Sequence, residues 1–394
     1  MFKLYIKTAW RSLVRNKLFS GLNIFGLAIG MAGAILIAIW LQNMLSYDRF
    51  HKDEDQLYVI SNVDHFSGEI HAWKNTPKIL GPTLAPKMPE ILAMTRISKF
   101  NRFLFTNGET KINKANGSYV DPDFFRMFSF SFQNGNINKD WLNGKGIVLT
   151  QEFAKALFGA ENPVGKTLKM DSSDYVTVTG VLENFKPNTV FASPFFLSWE
   201  YARKLNQVDS SWENNSCSTY VKLAKGVNIA AFNNKIKNFT REHKEGVTTQ
   251  LFAEPLKNNF LYDVDKNGKY VTGRIVLVRC FTIIGALLVL IACINFMNLS
   301  TAQSEKRARE VGVKKVIGAS KNRLIFQFLT ESTLLAFIAF LLALLIVVLT
   351  LPAFDTLVET PLSLHFSPLT WIIAAVFVVF IGLIAGSYPA FFLS

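Results

Sequence analysis

The chain has 394 residues, half of them apolar and only 18% charged. Soluble domains carry about a quarter of charged residues, so a wholly soluble protein is excluded; three cysteines, two of them in one apolar run, exclude a disulfide framework and a cysteine zinc site. The net charge of +13 gathers in two stretches, Lys3–Lys17 and Lys306–Arg323, that flank apolar runs. That is the positive-inside bias of cytoplasmic flanks, and it removes the need for nucleic acid as a partner.

Residues 1–20 carry Lys3, Lys7, Arg11, Arg15 and Lys17 and no acid. Four of these cations recur every fourth residue, while Ile6, Trp10, Leu13 and Val14 line another face. The pattern predicts a cytoplasmic amphipathic helix lying on membrane lipid. The first span, residues 21–45, has 25 residues without a charge, where about 20 suffice to cross a bilayer. Its apolar stretch exceeds a secretory h-region, and Ser46-Tyr47-Asp48 offers no small-x-small cleavage site, so an uncleaved anchor is expected. Gly26-x3-Gly30 within it has the spacing that lets a second helix approach closely.

Residues 46–275 have the composition of a soluble domain and length enough for one core or two small ones. Gln56–Val63, Arg96–Phe105, Lys111–Val120 and Gly146–Leu149 read as strands. Asp121-Pro122-Asp123 looks like a helix start, and Thr150 is placed to cap a helix running to Phe158. Lys166–Met170 and Tyr175–Leu182 form a hairpin pattern, and Asn228–His243 an amphipathic helix. The mixture implies an α+β or α/β domain in two lobes.

Two motifs in this region fail on context. Ala160-Glu161-Asn162-Pro163-Val164-Gly165-Lys166-Thr167 fits a relaxed Walker A pattern, but phosphate binding needs a strand before the loop and a helix after it. Here the order is reversed, and a Gly-Lys turn into a strand is the simpler reading. Asp263, Asp265, Asn267 and Gly268 open like a calcium loop, yet the twelfth position is Arg274 in place of a bidentate glutamate. The five histidines show no metal-ligand spacing, and no nucleophile motif is present. No cofactor and no enzymatic activity are expected of this chain.

Residues 276–299 comprise a stalk and the second span, with Arg279 at its outer end and the amides Asn295 and Asn298 within it. Residues 300–328 carry seven Lys or Arg and two Glu and belong in the cytoplasm. Residues 329–351 hold the third span, residues 352–368 a short outer loop with Asp355 and Glu359 and no cation, residues 369–386 the fourth span, and residues 387–394 a cytoplasmic end. Every basic segment thereby falls inside. The apolar runs 21–45, 280–299, 334–351 and 369–386 contain no Asp, Glu, Lys or Arg, which a polar ion path normally needs; Asn295 and Asn298 are better suited to bonds between helices.

The second basic segment carries the functional signal. In Ser304–Ser320, Val313, Val316 and Ile317 share a helical face among Arg309, Lys314 and Lys315. Gly318 can end that helix and Ser320 can cap the next. A solvated basic loop would satisfy the charge rule as well, but it would not need the apolar face. At these residues the chain resembles the FtsX/MacB family of ABC permeases: Arg309-Glu310-Val311-Gly312-Val313-Lys314-Lys315-Val316-Ile317-Gly318-Ala319 is similar to the family's Arg-Glu-x-Gly-x-Arg-Lys-x-x-Gly-Ala signature, with Lys314 in the place of Arg. The likeness extends through Tyr47-Asp48-Arg49-Phe50-His51, Asp121-Pro122-Asp123-Phe124-Phe125, Asn162-Pro163-Val164-Gly165-Lys166, Gly273-Arg274-Ile275, Asn295-Phe296-Met297-Asn298-Leu299-Ser300, Gln327-Phe328-Leu329-Thr330-Glu331-Ser332 and Gly386-Ser387-Tyr388-Pro389-Ala390, in family order.

The resemblance implies four transmembrane helices with a large α+β periplasmic core domain, in the bacterial inner membrane with both termini cytoplasmic. It implies a permease of the mechanotransmission type, used in efflux or export. Arg309, Glu310, Gly312, Val313, Lys314, Lys315, Ile317, Gly318 and Ala319 would couple to a separate cytoplasmic ABC ATPase subunit, and Arg274, Arg279, Asn295 and Asn298 would belong to the stalk and second span. A scaffold relaying ATPase cycles to a cell-wall hydrolase or to lipoprotein extraction is the alternative; a sensor receptor is weakened by the want of an output domain. Relatives of the Bacteroidetes type are often tandem, which leaves a second permease half or a homodimer as the partner, together with a periplasmic adaptor.

Overall fold

The computed structural model describes residues 17–66, 69–171, 173–264, 270–302, 311–313, 315–317, 320–362 and 368–393. The amphipathic segment predicted before Lys17 lies outside them. The chain divides into a helical unit, up to Met44 and from Leu277 onward, and an outer unit, Leu45–Val276.

Four helices of the helical unit are long and apolar enough to cross a membrane: α1 (Lys17–Leu45), α2 (Arg274–Ala302), α3 (Lys321–Val358) and α4 (Pro368–Leu393). In lipid the backbone must bond to itself, which is why charge-free runs of this length become helices. The helices pack through small residues. A Cβ added at Gly30 would lie 2.5 Å from the Ala292 Cβ and 3.2 Å from the Leu288 carbonyl, and one at Gly26 would lie 2.8 Å from the Asn295 Nδ2. The Gly26-x3-Gly30 pair is thus a contact seam between α1 and α2. A second seam, which the sequence reading passed over, joins α4 to α3: a Cβ at Gly382 or Gly386 would meet Thr333 or Ser332 at 2.6 Å. Between the seams Leu27, Met31, Phe296, Ala336, Phe340 and Ile381 form a common buried core.

The outer unit is built on one large sheet. Its strands are β1 (Leu57–Phe66), β2 (Glu69–Trp73), β3 (Thr76–Pro77), β4 (Ile91–Asn107), β5 (Thr110–Val120), β6 (Phe132–Gly135), β7 (Gly146–Thr150), β8 (Thr167–Met170), β9 (Asp174–Leu182), β10 (Phe195–Ser198), β11 (Asn215–Leu223) and β12 (Gln250–Pro255). They lie in the order β12-β1-β11-β4-β5-β10-β7-β9-β6, with β2 beside β1, β3 beside β11, and β8 beside β4 and β9. β5 runs parallel to β10 and β7 parallel to β9; the other neighbours are antiparallel.

The sheet serves two lobes. At one end the helix Gln151–Phe158 packs Phe153 and Leu157 onto Phe105, Ile147 and Leu149. Thr150 caps that helix by accepting from the Phe153 N–H, as expected. At the other end Phe232, Ile236 and Phe239 pack on Ile60, Val221 and Leu251. A third cluster draws on strands of both lobes and is dense in phenylalanine: Phe124, Phe128, Phe191 and Phe196 meet Leu57, Val120 and Tyr220. His51 belongs with it, 3% exposed, its Nδ1 accepting from the Ser129 N–H at 3.1 Å.

One element differs from expectation. Asn228–His243 is two helices, Ile229–Ile236 and Phe239–His243, because the Lys237 carbonyl accepts from the Leu251 N–H at the edge of β12 and leaves the helical ladder. The start at Asp121-Pro122-Asp123 leads, as expected, into a short helix, Phe124–Met127, with Asp123 at its N-cap position and the Phe124 N–H donating to the Asp121 carbonyl. The Asp121 carboxylate is engaged elsewhere. It takes the Arg96 guanidinium in two bonds, 3.0 Å from Nε and 2.7 Å from Nη2, while also accepting from the Arg96 N–H at 2.7 Å. The cation also lies 4.5 Å from the Trp199 ring.

Removing one member of such a buried pair leaves the other charge without compensation. Asp121→Ala is expected to destabilise the protein by about 3–5 kcal/mol, read as a lowered midpoint of urea unfolding followed by tryptophan fluorescence.

Candidate functional site

Of the predicted coupling residues, Arg309, Glu310, Lys314, Gly318 and Ala319 lie outside the described residues. Gly312, Val313, Lys315 and Ile317 are described, with Val311 and Val316. Residues 311–313 and 315–316 are helical, and the Ile317 N–H donates to the Val313 carbonyl at 3.1 Å.

This short helix sorts its valines sharply. Val311 is 5% exposed and packs with Leu324 and Phe328 of α3 and Ala390 of α4. Val313, Val316 and Ile317 are 60%, 89% and 80% exposed. One apolar residue anchors the segment to the ends of two spanning helices, and three others face away from the chain. Gly312 is exposed too, and a Cβ there would meet no described atom within 4 Å. Lys315 is exposed beside them. Ser320 stands at the N-cap position of α3, but its side chain makes no cap bond; its carbonyl takes the N–H groups of Arg323 and Leu324 at 3.1 and 3.3 Å.

Asn295 and Asn298 are exposed on α2, and Asn295 flanks Gly26 at the α1 seam. Arg279 is exposed. Arg274, the first residue of α2, belongs to the outer unit, and its guanidinium lies 4.1 Å from the centre of the Phe260 ring. Tyr47 stacks on that same ring, with centroids 3.4 Å apart and planes 3° from parallel. Burial raises the Tyr47 hydroxyl above its ordinary pKa, partly offset by Arg274.

The outer unit grips the chain where it enters and where it leaves. On entering, Asp48 donates its N–H to the Asn188 carbonyl at 3.0 Å, while its carboxylate accepts from the Thr189 hydroxyl and the Val190 N–H. Asn188 in turn donates to the Ser46 carbonyl at 3.0 Å. On leaving, the Lys74 ammonium donates to the carbonyls of Asn259 and Tyr262 and lies 4.0 Å from Glu254. Burial pushes the Lys74 ammonium down and the Glu254 carboxyl up, each shift partly offset by the other group. Gly273 has φ +108, and a Cβ there would stand 2.8 Å from the Asp263 nitrogen and the Leu261 oxygen, so the turn into α2 requires glycine. A cavity of about 360 Å³, lined by Val190, Tyr220, Asn259, Phe260 and Arg274 among others, lies between the two grips. Sequence reasoning named Tyr47, Asp48, Gly273 and Arg274 among these, within family-like segments; Lys74, Asn188, Thr189 and Phe260 come from distant segments with no shared motif.

The relaxed Walker A segment has the predicted reversed context, a helix ending at Phe158 and β8 beginning at Thr167. Gly165 donates its N–H to the Val178 carbonyl and Lys166 pairs with Glu161, so neither is free to cradle phosphate. In the calcium-like stretch Asp265, Asn267 and Gly268 lie outside the described residues, while Asp263 pairs with Thr272 in a short hairpin.

Residues 20–239 match the family model of the MacB-like periplasmic core domain, and residues 282–394 that of the FtsX-like permease C-terminal region. The macrolide export ATP-binding/permease protein MacB of Escherichia coli (strain K12) is 24% identical over 393 residues, covering 97% of this chain and 58% of that protein. The protein of the same name from Shigella flexneri aligns with the same identity and coverage. The chain therefore spans little more than half the length of these relatives. Among solved structures, the periplasmic region of MacB from Actinobacillus actinomycetemcomitans superposes with a TM-score of 0.38 at 18% identity, covering 50% of this chain and 88% of that one. A domain from a Porphyromonas gingivalis protein gives 0.46 at 17% identity, covering 52% and 92%.

The anchoring role of Val311 is open to a direct test. Val311→Asp would set a carboxylate in an apolar pocket that now gains the burial of a whole valine. Limited trypsinolysis at Lys315 is expected to accelerate by about tenfold, as the segment opens locally without global unfolding; Val311→Ile should leave the rate unchanged.

Proposed function

Because the chain belongs to the family that joins a MacB-like periplasmic core domain to an FtsX-like permease C-terminal region, we propose that it is the permease of an ABC-type complex that relays ATP turnover on a cytoplasmic partner ATPase to movement of its outer domain. The observation that carries this reading is the segment at residues 311–317. Its anchor, Val311, is buried on α3 and α4 while three other apolar side chains, Val313, Val316 and Ile317, are exposed. Exposed apolar residues clustered in this way mark a docking surface. Glycine inside a helix costs about 1 kcal/mol relative to alanine, and no described neighbour demands it at position 312. A partner backbone pressed against this face is a reason for it.

The charge pattern supports a topology in the bacterial inner membrane with both termini and residues 300–328 in the cytoplasm, and residues 46–275 outside. The apolar runs 21–45, 280–299, 334–351 and 369–386 carry no charge, which favours a mechanical relay over a polar pore; Glu331 is buried in α3 just before the third run. The names of the relatives, which join ATP binding, permease and macrolide export, support export as the process served. The partners in this reading are the ATPase, a second permease half or second copy of the chain, and a periplasmic adaptor.

Val313→Asp with Ile317→Asp, or Glu310→Lys alone, is expected to reduce recovery of the co-purifying ATPase by about tenfold or more, the effect of losing central interface contacts. Undiminished recovery would refute the docking role. Labelling of an introduced thiol at Ala308→Cys by a membrane-impermeant reagent added outside intact cells would refute the topology.

A further inference from the structure

The outer unit holds its entering and leaving segments by separate sets of hydrogen bonds, and one side chain touches both. Phe260 carries the Tyr47 ring stacked at 3.4 Å and the Arg274 guanidinium at 4.1 Å. Tyr47 lies two residues after the end of α1, and Arg274 is the first residue of α2. We propose that Phe260 is the pin of a joint that locks the chain entering the outer domain to the chain leaving it, so that α1 and α2 drive the domain as one body. This deepens the relay reading and rests on it for its purpose, though the joint itself is a property of the chain alone.

The surroundings make the pin stiff. Phe260 follows directly on the Asn259 carbonyl held by Lys74, and the Tyr262 carbonyl is held by the same ammonium at 3.1 Å. The Ile275 N–H donates to the Leu261 carbonyl at 2.9 Å, which fixes the first turn of α2 to the residue after the pin. On the other side Tyr47 sits between Ser46 and Asp48, both bonded to the 188–190 loop. Val190 from that loop and Asn259, Phe260 and Arg274 line one cavity. The ring is a contact that Tyr47 and Arg274 share, so removing it loosens both ends together.

The test is hydrogen exchange on the whole chain in lipid nanodiscs without any ATPase. In Phe260→Ala the amides of Asp48 and Ile275 are both expected to exchange about tenfold faster, the scale of losing one aromatic pair and one cation–π contact together. Val148 and Leu149 in the central strand β7 should keep their rates, and Phe260→Tyr should restore the wild-type rates. Arg274→Gln keeps the ring and removes the cation; it too should speed exchange at Asp48, across the pin. Faster exchange at Ile275 with no change at Asp48, in either variant, overturns the joint. Equal acceleration at Val148 with no response of Asp48 to Arg274→Gln overturns it as well. A separate arm adds the co-purifying ATPase and ATP and follows spin labels placed on the outer domain after Cys280→Ser. Loss of ATP-driven displacement in Phe260→Ala with ATPase binding intact is the expected result. Absence of ATPase binding in the wild type would refute the relay reading while leaving the exchange result standing.

Discussion

Hydrocarbon offers a peptide group nothing to bond with, and this requirement organises the whole chain. Four stretches without a charge must become helices, and helices in lipid gain nothing by hiding apolar surface from one another. They associate through close packing, which small residues permit. Glycines supply it twice, at Gly26 and Gly30 for α1 against α2 and at Gly382 and Gly386 for α4 against α3. The chain between α1 and α2 is the outer domain, and the chain between α2 and α3 is the segment proposed to dock a partner. α2 is the one helix that borders both, and its residues Leu288, Ala292 and Asn295 form the α1 seam.

What was legible in the sequence was what depends on local pattern. Charge-free runs marked the spans. Alternation marked β9 in the β8–β9 hairpin, short runs of strand-forming residues marked β1, β4, β5 and β7, and a threonine before Gln151–Phe158 marked its cap. β10 is buried at all four positions, and so short an apolar run cannot be told from a piece of helix by periodicity. β11 does alternate, but Cys217 and Thr219 occupy buried positions beside Val221 and Leu223 and look polar on paper. The helix start at Asp121-Pro122-Asp123 was legible, but the hold of Arg96, twenty-five residues away, on the Asp121 carboxylate was not. The segment around 311–317 was legible as a motif, and the three residues its spacing groups, Val313, Val316 and Ile317, are exposed; that Val311 is buried instead depends on Phe328 and Ala390, which no local pattern names. Phe260 is the extreme case. Its partners lie more than two hundred residues upstream and fourteen downstream, and nothing in Asn258-Asn259-Phe260-Leu261 distinguishes it from an ordinary core phenylalanine.

A relay needs an outer domain that does not absorb the displacement delivered to it. Close-packed interiors transmit strain because side chains have nowhere to yield. The entering chain runs straight into such an interior: His51 lies 5.1 Å from the Phe128 ring and 5.9 Å from the Phe191 ring, and those two rings are 4.1 Å apart. Phe191 in turn meets Tyr220 of β11 at 5.1 Å, and Phe124, 5.9 Å from Phe191, meets Phe196 of β10 at 5.2 Å. Residues of both lobes are therefore in van der Waals succession with the segment that follows α1. In the proposed relay, the folded Asp48–His51 turn and the phenylalanine-rich core beneath it are what would let the outer domain act as a lever, where a flexible glycine and serine tether would lose a displacement to loop entropy.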